Sequence, residues 1–60
     1  MVVCQLVKTE TNADSVSLVR FFGLGMYEVL ASHRDAYGRT IIRRYRAVVQ
    51  DDKLTALRGL

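Results

Sequence analysis

Proline is absent from this sequence of 60 residues, and cysteine and histidine each occur once. The single cysteine, Cys4, excludes a disulfide within the chain. Cys4 and His33 supply only two of the four ligands that a structural zinc site needs, so we expect neither a metal nor another cofactor. With no low-complexity tract and no linker in the sequence, we predict one small domain over residues 1–60.

Long hydrophobic runs are also missing. No apolar segment approaches the roughly 20 residues that a membrane span requires, so we expect no membrane span. Residues 1–8 lack the basic start and the small-residue cleavage site of a signal peptide. With one thiol and no export signal, we expect a reducing, cytoplasmic location.

The positive charge is concentrated in one segment. The whole chain has a net charge of +3. Residues 33–46 contain five arginines and one aspartate, whereas the remainder has four basic and five acidic residues. Lysine is scarce, with only Lys8 and Lys53. A local concentration of arginine attracts acidic partners and polyanions.

The spacing of turn signals predicts a mainly β protein. Runs rich in valine, isoleucine, tyrosine and phenylalanine alternate with turn-forming segments at residues 11–15, 23–25 and 35–38. We predict a small antiparallel meander or barrel-like sheet with strands near residues 1–9, 15–22, 26–34 and 39–50. Asp51, Leu54, Leu57, Arg58 and Gly59 predict a short C-terminal helix over residues 51–60.

An alternative interpretation is helical. Asp14 could cap a helix over residues 15–22, and Leu30, Ala31 and Arg34 are good helix formers. The glycines of segment 23–25 and the β-branched residues of 41–42 and 48–49 favour strands instead.

Two hairpin registers follow from the turns. Asp35 and Gly38 suit a type I turn followed by a left-handed glycine. This turn pairs Asp35 with Arg39, and the register then sets Val29 opposite Tyr45, Tyr27 opposite Ala47, and Glu28 opposite Arg46.

The loop at residues 23–25 predicts a second hairpin. Pairing Phe22 with Met26 sets Val19 opposite Val29, Phe21 opposite Tyr27, and Arg20 opposite Glu28. Glu28 would then lie between Arg20 and Arg46 across three strands, an arrangement that supports the register more than it stabilises the fold.

Both faces of the predicted sheet carry apolar side chains. The inner face comprises Val19, Phe21, Tyr27, Val29, Tyr45 and Ala47. Since one small sheet cannot cover two apolar faces, we expect barrel closure, a partner chain, or both. We predict self-association through the first strand, through the sheet face opposite the inner face, or through both. The predicted interface residues are Val2, Cys4, Leu6, Leu18, Phe22, Met26 and Leu30.

No catalytic constellation is evident. His33 has Ser32 and Asp35 nearby in the sequence, but His33 and Ser32 point to opposite faces of a strand, so the three residues do not have the arrangement of a triad. Cys4 is typical of a small buried hydrophobic residue. The glycines of segment 23–25 lack the spacing of a phosphate-binding loop and fit turn positions instead.

The basic hairpin at residues 33–46 is the candidate binding segment. Its guanidinium groups suit phosphate oxygens or an acidic partner, and a tyrosine at the loop tip could stack on a base. Arginine on exposed strands also prevents edge-to-edge aggregation, so the segment has a purely structural explanation too. We predict a non-catalytic protein-interaction or assembly module that forms a homo-oligomer. The alternative is a nucleic-acid-binding protein, and in both cases the binding residues are Arg34, Tyr37, Arg39, Arg43, Arg44 and Arg46.

Overall fold

The N-terminal segment is a helix and not the strand that the sequence predicts. The structure, a computed structural model, describes residues 2–60 and begins with α1, Val2–Thr11. Val3 and Val7, four residues apart on one side of α1, are both buried. The prediction of a strand over residues 1–9 is therefore wrong from residue 2 onward, and its first residue lies outside the described part of the chain.

The helix ends within residues 11–15, the segment for which the sequence predicts a turn. Asn12 has a φ of 58°, in the left-handed region that asparagine tolerates, and the Ala13 N–H donates to the Lys8 carbonyl oxygen at 3.2 Å. This is a Schellman C-cap, and the Ala13 side chain that follows Asn12 is buried. Each valine costs a helix only about 0.5 kcal/mol, whereas burying one contributes about 1.5–3 kcal/mol. Burial therefore outweighs the strand propensity of this segment.

Four antiparallel strands follow the helix and form one sheet in the order β1-β2-β3-β4. The strands are β1 (Ser15–Gly23), β2 (Met26–Arg34), β3 (Thr40–Gln50) and β4 (Lys53–Gly59). Only consecutive strands are paired within residues 2–60, so β1 and β4 are edges and the sheet is open. Barrel closure is accordingly excluded for this part of the chain.

The predicted C-terminal helix is the strand β4. Asp51 and Asp52 have φ values of 52° and 60° and form the two-residue turn between the paired residues Gln50 and Lys53. Positive φ at both central positions defines a type I′ hairpin turn, for which aspartate is a tolerated residue. The prediction of a helix cap at Asp51 is therefore wrong, because Asp51 is the first residue of this turn.

A bulge explains why residues 53–59 resemble a helix in sequence. The register of β3 with β4 shifts between Val48 and Val49, which pair with Ala56 and Leu54, and Thr55 is the additional residue. Leu54 and Leu57 therefore both pack against the core although they are three residues apart. That spacing mimics a helical period, and only the bulge reconciles it with a strand.

The β2–β3 hairpin matches its predicted register. Val29 pairs with Tyr45, Tyr27 with Ala47, and Glu28 with Arg46. At the turn the Asp35 N–H donates to the Arg39 carbonyl oxygen at 2.9 Å, and Gly38 has a φ of 78°. The turn chemistry and the apolar alternation agree here, which is why the sequence alone predicts the register of this hairpin.

The β1–β2 hairpin matches its prediction only in part. Arg20 pairs with Glu28 and Phe21 with Tyr27, as expected. However, Gly23 pairs with Met26, which makes the turn a two-residue one, and Leu18 takes the place predicted for Val19 opposite Val29. Two register shifts in β1 cause these differences, and a bulge cannot be derived from period-two alternation.

The core lies between α1 and one face of the sheet. Val3 and Val7 of the helix pack against Val29 and Ala47 of the two central strands, and the half-buried side chains around this cluster are Cys4, Val16, Tyr27, Tyr45, Val49, Leu54 and Leu57. Of the predicted inner face, Val19 and Phe21 remain exposed, Phe21 by 57%. Nothing within residues 2–60 covers the opposite side of the sheet, which we call the outer face.

Gly25 is the glycine that the fold requires most. Its φ is 75°, its carbonyl accepts the Val49 N–H at 2.9 Å, and a Cβ added at Gly25 would overlap the Val49 carbonyl oxygen. Gly38 has a similar φ of 78° but open space around it.

We predict that Gly38→Ala lowers the free energy of unfolding by about 1 kcal/mol, the cost of the left-handed conformation. Gly25→Ala should cost clearly more in the same urea titration, and equal losses would contradict the proposed overlap.

Candidate binding surface

A row of charged residues crosses all four strands on the outer face. Arg20 pairs with Glu28, Glu28 with Arg46, and Arg46 with Arg58. Cross-strand partners project from the same side of a sheet. Since Val29 is buried beneath the helix, its neighbour Glu28 points away from it, and so do the three arginines in its row.

Arg44 lies on the same face and completes the cluster. Its Nε donates to Glu28 Oε2 at 3.2 Å. The Glu28 side chain is only 13% exposed, whereas that of Arg44 is 56% exposed. The carboxylate therefore lies low among the arginines and reduces their mutual repulsion, while the guanidinium groups reach into solvent.

An aromatic ring lies within cation–π distance of two of these arginines. The guanidinium carbon of Arg46 is 4.9 Å from the centroid of the Phe22 ring, and that of Arg20 is 5.8 Å away. Both distances are within the range of cation–π interactions. Phe22 is 39% exposed, so its contacts with the two arginines leave part of the residue open to solvent.

We call this cluster the arginine face, defined as Arg20, Phe22, Glu28, Arg44, Arg46 and Arg58. Its four arginines and one glutamate give it a net charge of +3, equal to that of the whole chain. Each guanidinium presents several N–H donors in a planar fork that matches carboxylate and phosphate oxygens. The arrangement can bind anions over an area, and it offers one exposed aromatic surface within that area.

The structure divides the predicted basic hairpin among three places. Arg44 and Arg46 belong to the arginine face, but Arg43 pairs with Ala31, which is buried on the helix-facing side. The remaining predicted residues, Arg34, Tyr37 and Arg39, lie at the end of the β2–β3 hairpin. The six residues therefore do not form a single surface.

Arg39 is engaged at the hairpin end. Its Nε donates to Asp35 Oδ2 at 3.2 Å, and its guanidinium carbon lies 5.4 Å from the centroid of the Tyr37 ring. Tyr37 is highly exposed. The pair forms a small platform of its own at the tip, remote in sequence and register from Phe22.

Four members of the arginine face are not among the predicted binding residues, namely Arg20, Phe22, Glu28 and Arg58. The sequence predicts a helix at Arg58, and a helix would not pair Arg58 with Arg46. Arg20 pairs with Glu28 as predicted, but it lies outside the basic segment at residues 33–46. The sequence predicts an oligomer interface at Phe22, and the position of Phe22 beside the arginines depends on the register shift at the end of β1.

The predicted interface residues do not share one surface either. Val2, Cys4 and Leu6 belong to α1, where Val2 is exposed and the other two are half-buried. Leu18 pairs with Val29 and is not beside Leu30. Phe22, Met26 and Leu30 lie on β1 and β2, and the latter two are half-buried. A first strand as an interface is excluded for the described residues, because that segment is helical.

His33 lies in a polar cleft at the end of the sheet. The cleft has a volume of about 520 Å³ and is lined by Asp14, Ser15, Ser32, His33, Arg34 and Thr40. The Asp14 carboxylate accepts the Arg34 backbone N–H at 2.8 Å, and the Asp14 N–H donates to the Ser32 carbonyl oxygen at 2.8 Å. Asp14 therefore joins the start of β1 to the end of β2, which is a structural role.

Residues 2–60 contain no group of three or more side chains placed to hold a metal ion. None of the helical segments described is long and apolar enough to span a membrane. Comparison with protein-family models, curated proteins and solved structures finds no match to this chain.

The Asp35 carboxylate has two separable roles, which substitutions can distinguish. Oδ1 accepts the N–H groups of Tyr37 and Arg39, each at 2.9 Å, and Oδ2 accepts Nε of Arg39. Asp35→Ala should lower the free energy of unfolding by about 1–2 kcal/mol, since both backbone donors lose their partner. Asp35→Asn keeps an oxygen at Oδ1 and removes only an exposed ion pair, so it should cost less than about 1 kcal/mol. Equal losses of stability for the two variants in thermal unfolding would show that the stabilisation comes from the ion pair and not from the hydrogen bonds of the turn.

Proposed function

We propose that this protein is a non-catalytic binding module and that the arginine face is the surface with which it binds an acidic macromolecule. The observation that supports this proposal is the charged row across all four strands. Three of its four members are arginines, and their side chains project from an uncovered sheet face. A cytoplasmic location remains an expectation from the sequence.

The charge of this face favours an acidic partner over a second copy of the same face. Two arginine faces in contact would oppose guanidinium groups of like sign, and such juxtaposition costs several kcal/mol. An acidic partner reverses the sign of that interaction. The one acidic member, Glu28, already accepts from Arg44 at 3.2 Å and is mostly buried, so it offers little repulsion to an incoming anion.

The arginines also have a structural function that does not compete with binding. Met26, Leu30 and Val48 are half-buried on the strands beneath them. Arginine stems can cover apolar surface while their charged ends remain in water. The same side chains can therefore protect the outer face in the free protein and present charge to a partner.

The test compares two double variants of equal net charge. Arg46→Ala with Arg58→Ala removes two charges from the arginine face, whereas Lys8→Ala with Arg43→Ala removes two charges from elsewhere. On a heparin column, a polyanion without bases, the first variant should elute at clearly lower salt than the wild type, because fewer counterions are exchanged on binding. The control variant should elute close to the wild type.

Thermal unfolding of both variants shows whether the fold is retained. If the two double variants elute at equally reduced salt concentrations, net charge and not the arginine face governs retention on heparin. Passage of the wild type through the column at low salt would contradict the proposed function altogether.

Self-association remains a second candidate, and the size of the core favours it. Among the described residues, the largest fully buried side chains are valines. Large exposed hydrophobic residues follow one another along β1 and its turn, namely Leu18, Val19, Phe21, Phe22 and Leu24. A chain this short gains little stability from such a core, and an oligomer would add to it. The β1 edge is the surface that we assign to this contact.

Sedimentation velocity at micromolar concentration tests the second candidate. If β1 mediates the contact, Val19→Lys should shift an oligomer toward the monomer of 6.8 kDa. Ile42→Lys adds the same charge at an exposed position of β3 and should leave the oligomer unchanged. A wild type that sediments as a monomer at every concentration would remove self-association from consideration.

A further inference from the structure

We infer that the acidic partner of the arginine face is a single-stranded nucleic acid, whose phosphates contact the arginines while a base stacks at Phe22. This inference rests on the proposed function and specifies its ligand. The arginine face has one feature that a simple anion site does not need, which is the partly exposed Phe22 ring beside two of its arginines.

The ring and its two arginines form a composite stacking surface. Phe22 is partly exposed, and the guanidinium groups of Arg46 and Arg20 lie 4.9 and 5.8 Å from its centroid. Unpaired bases stack both on aromatic rings and on guanidinium planes. A nucleotide brings a phosphate and a planar base within one unit, whereas the acidic side chain of a polypeptide supplies the negative charge alone.

The arginine row has suitable dimensions for a short stretch of backbone. Neighbouring strands are about 4.8 Å apart, so the row from Arg20 to Arg58 extends over roughly 14 Å. That length accommodates about two to four consecutive phosphates. A strand lying along the row would pass Phe22, which is two residues from Arg20 in β1.

A duplex fits this surface less well than a single strand. Its bases are stacked on one another and are reached only through the grooves, which admit a protruding helix or β-ribbon. The arginine face is a sheet surface and not a protrusion. An unpaired strand can turn its bases toward the protein, as open sheets that bind single strands require.

The experiment measures fluorescence anisotropy with three labelled probes of about ten nucleotides, a length within the range of known single-strand sites. The probes are an oligo-thymidine strand, an abasic strand of equal length that keeps the phosphates, and a duplex. The wild type should bind the thymidine strand roughly tenfold more tightly than the abasic strand. The logarithm of its affinity should fall against the logarithm of salt concentration with a slope of about −1.4 to −2.8, since each of the two to four phosphates contributes about −0.7 for a single strand.

Two neighbouring phenylalanines provide a matched pair of variants. Phe22→Leu removes the ring but keeps an apolar side chain, so it should abolish the preference for the thymidine strand and leave abasic binding unchanged. Phe21→Leu alters the adjacent residue, whose ring packs on Tyr27 at 4.8 Å on the helix-facing side. This control should retain the tenfold preference.

The outcomes separate this inference from the function on which it rests. Equal binding of the thymidine and abasic strands by the wild type, or stronger binding of the duplex, would overturn the single-strand assignment while heparin retention still supports an acidic partner. An equal loss of preference in Phe21→Leu would overturn the role of Phe22. Failure to bind any probe and heparin at low salt would overturn both proposals.

Discussion

The packing of two helical valines against the centre of the sheet is the constraint on which the remaining structure depends. Val3 and Val7 contact Val29 and Ala47, and this contact decides which side of the sheet is the inside. Because side chains alternate along a strand, burying Val29 necessarily turns Glu28 and its cross-strand partners outward. The arginine face is thus a consequence of where the helix lies.

The outer face resolves a problem that a two-layer protein of this size always has. One helix can cover only one side of a four-stranded sheet, so the second side must be compatible with water. Here arginines provide that compatibility, with Glu28 placed among them to relieve repulsion and Phe22 within cation–π distance of two guanidinium groups. Charge that makes a sheet face tolerable in water also makes it attractive to anions.

The parts of the fold that could be predicted are those governed by contacts close in sequence. The β2–β3 register follows from Asp35, Gly38 and the alternation of apolar and polar residues. The turns also predict the charged row across three of the four strands. The predictions failed where a local pattern is ambiguous. The N-terminal valines suit a strand or a helix, and Leu54 and Leu57 have helical spacing because Thr55 forms a bulge between them. Neither case can be decided without knowing what the segment packs against.

The sequence by itself determined the β meander at the centre of the chain and the concentration of arginine in one segment. These properties depend on composition and on turns of a few residues. Only the tertiary structure decided that the N-terminal segment is a helix, that Arg58 joins Arg46 and that Arg43 leaves the arginine face. Those assignments depend on burial and on strand register over long separations, because the free energy of a buried contact exceeds the small local preferences that a sequence pattern expresses.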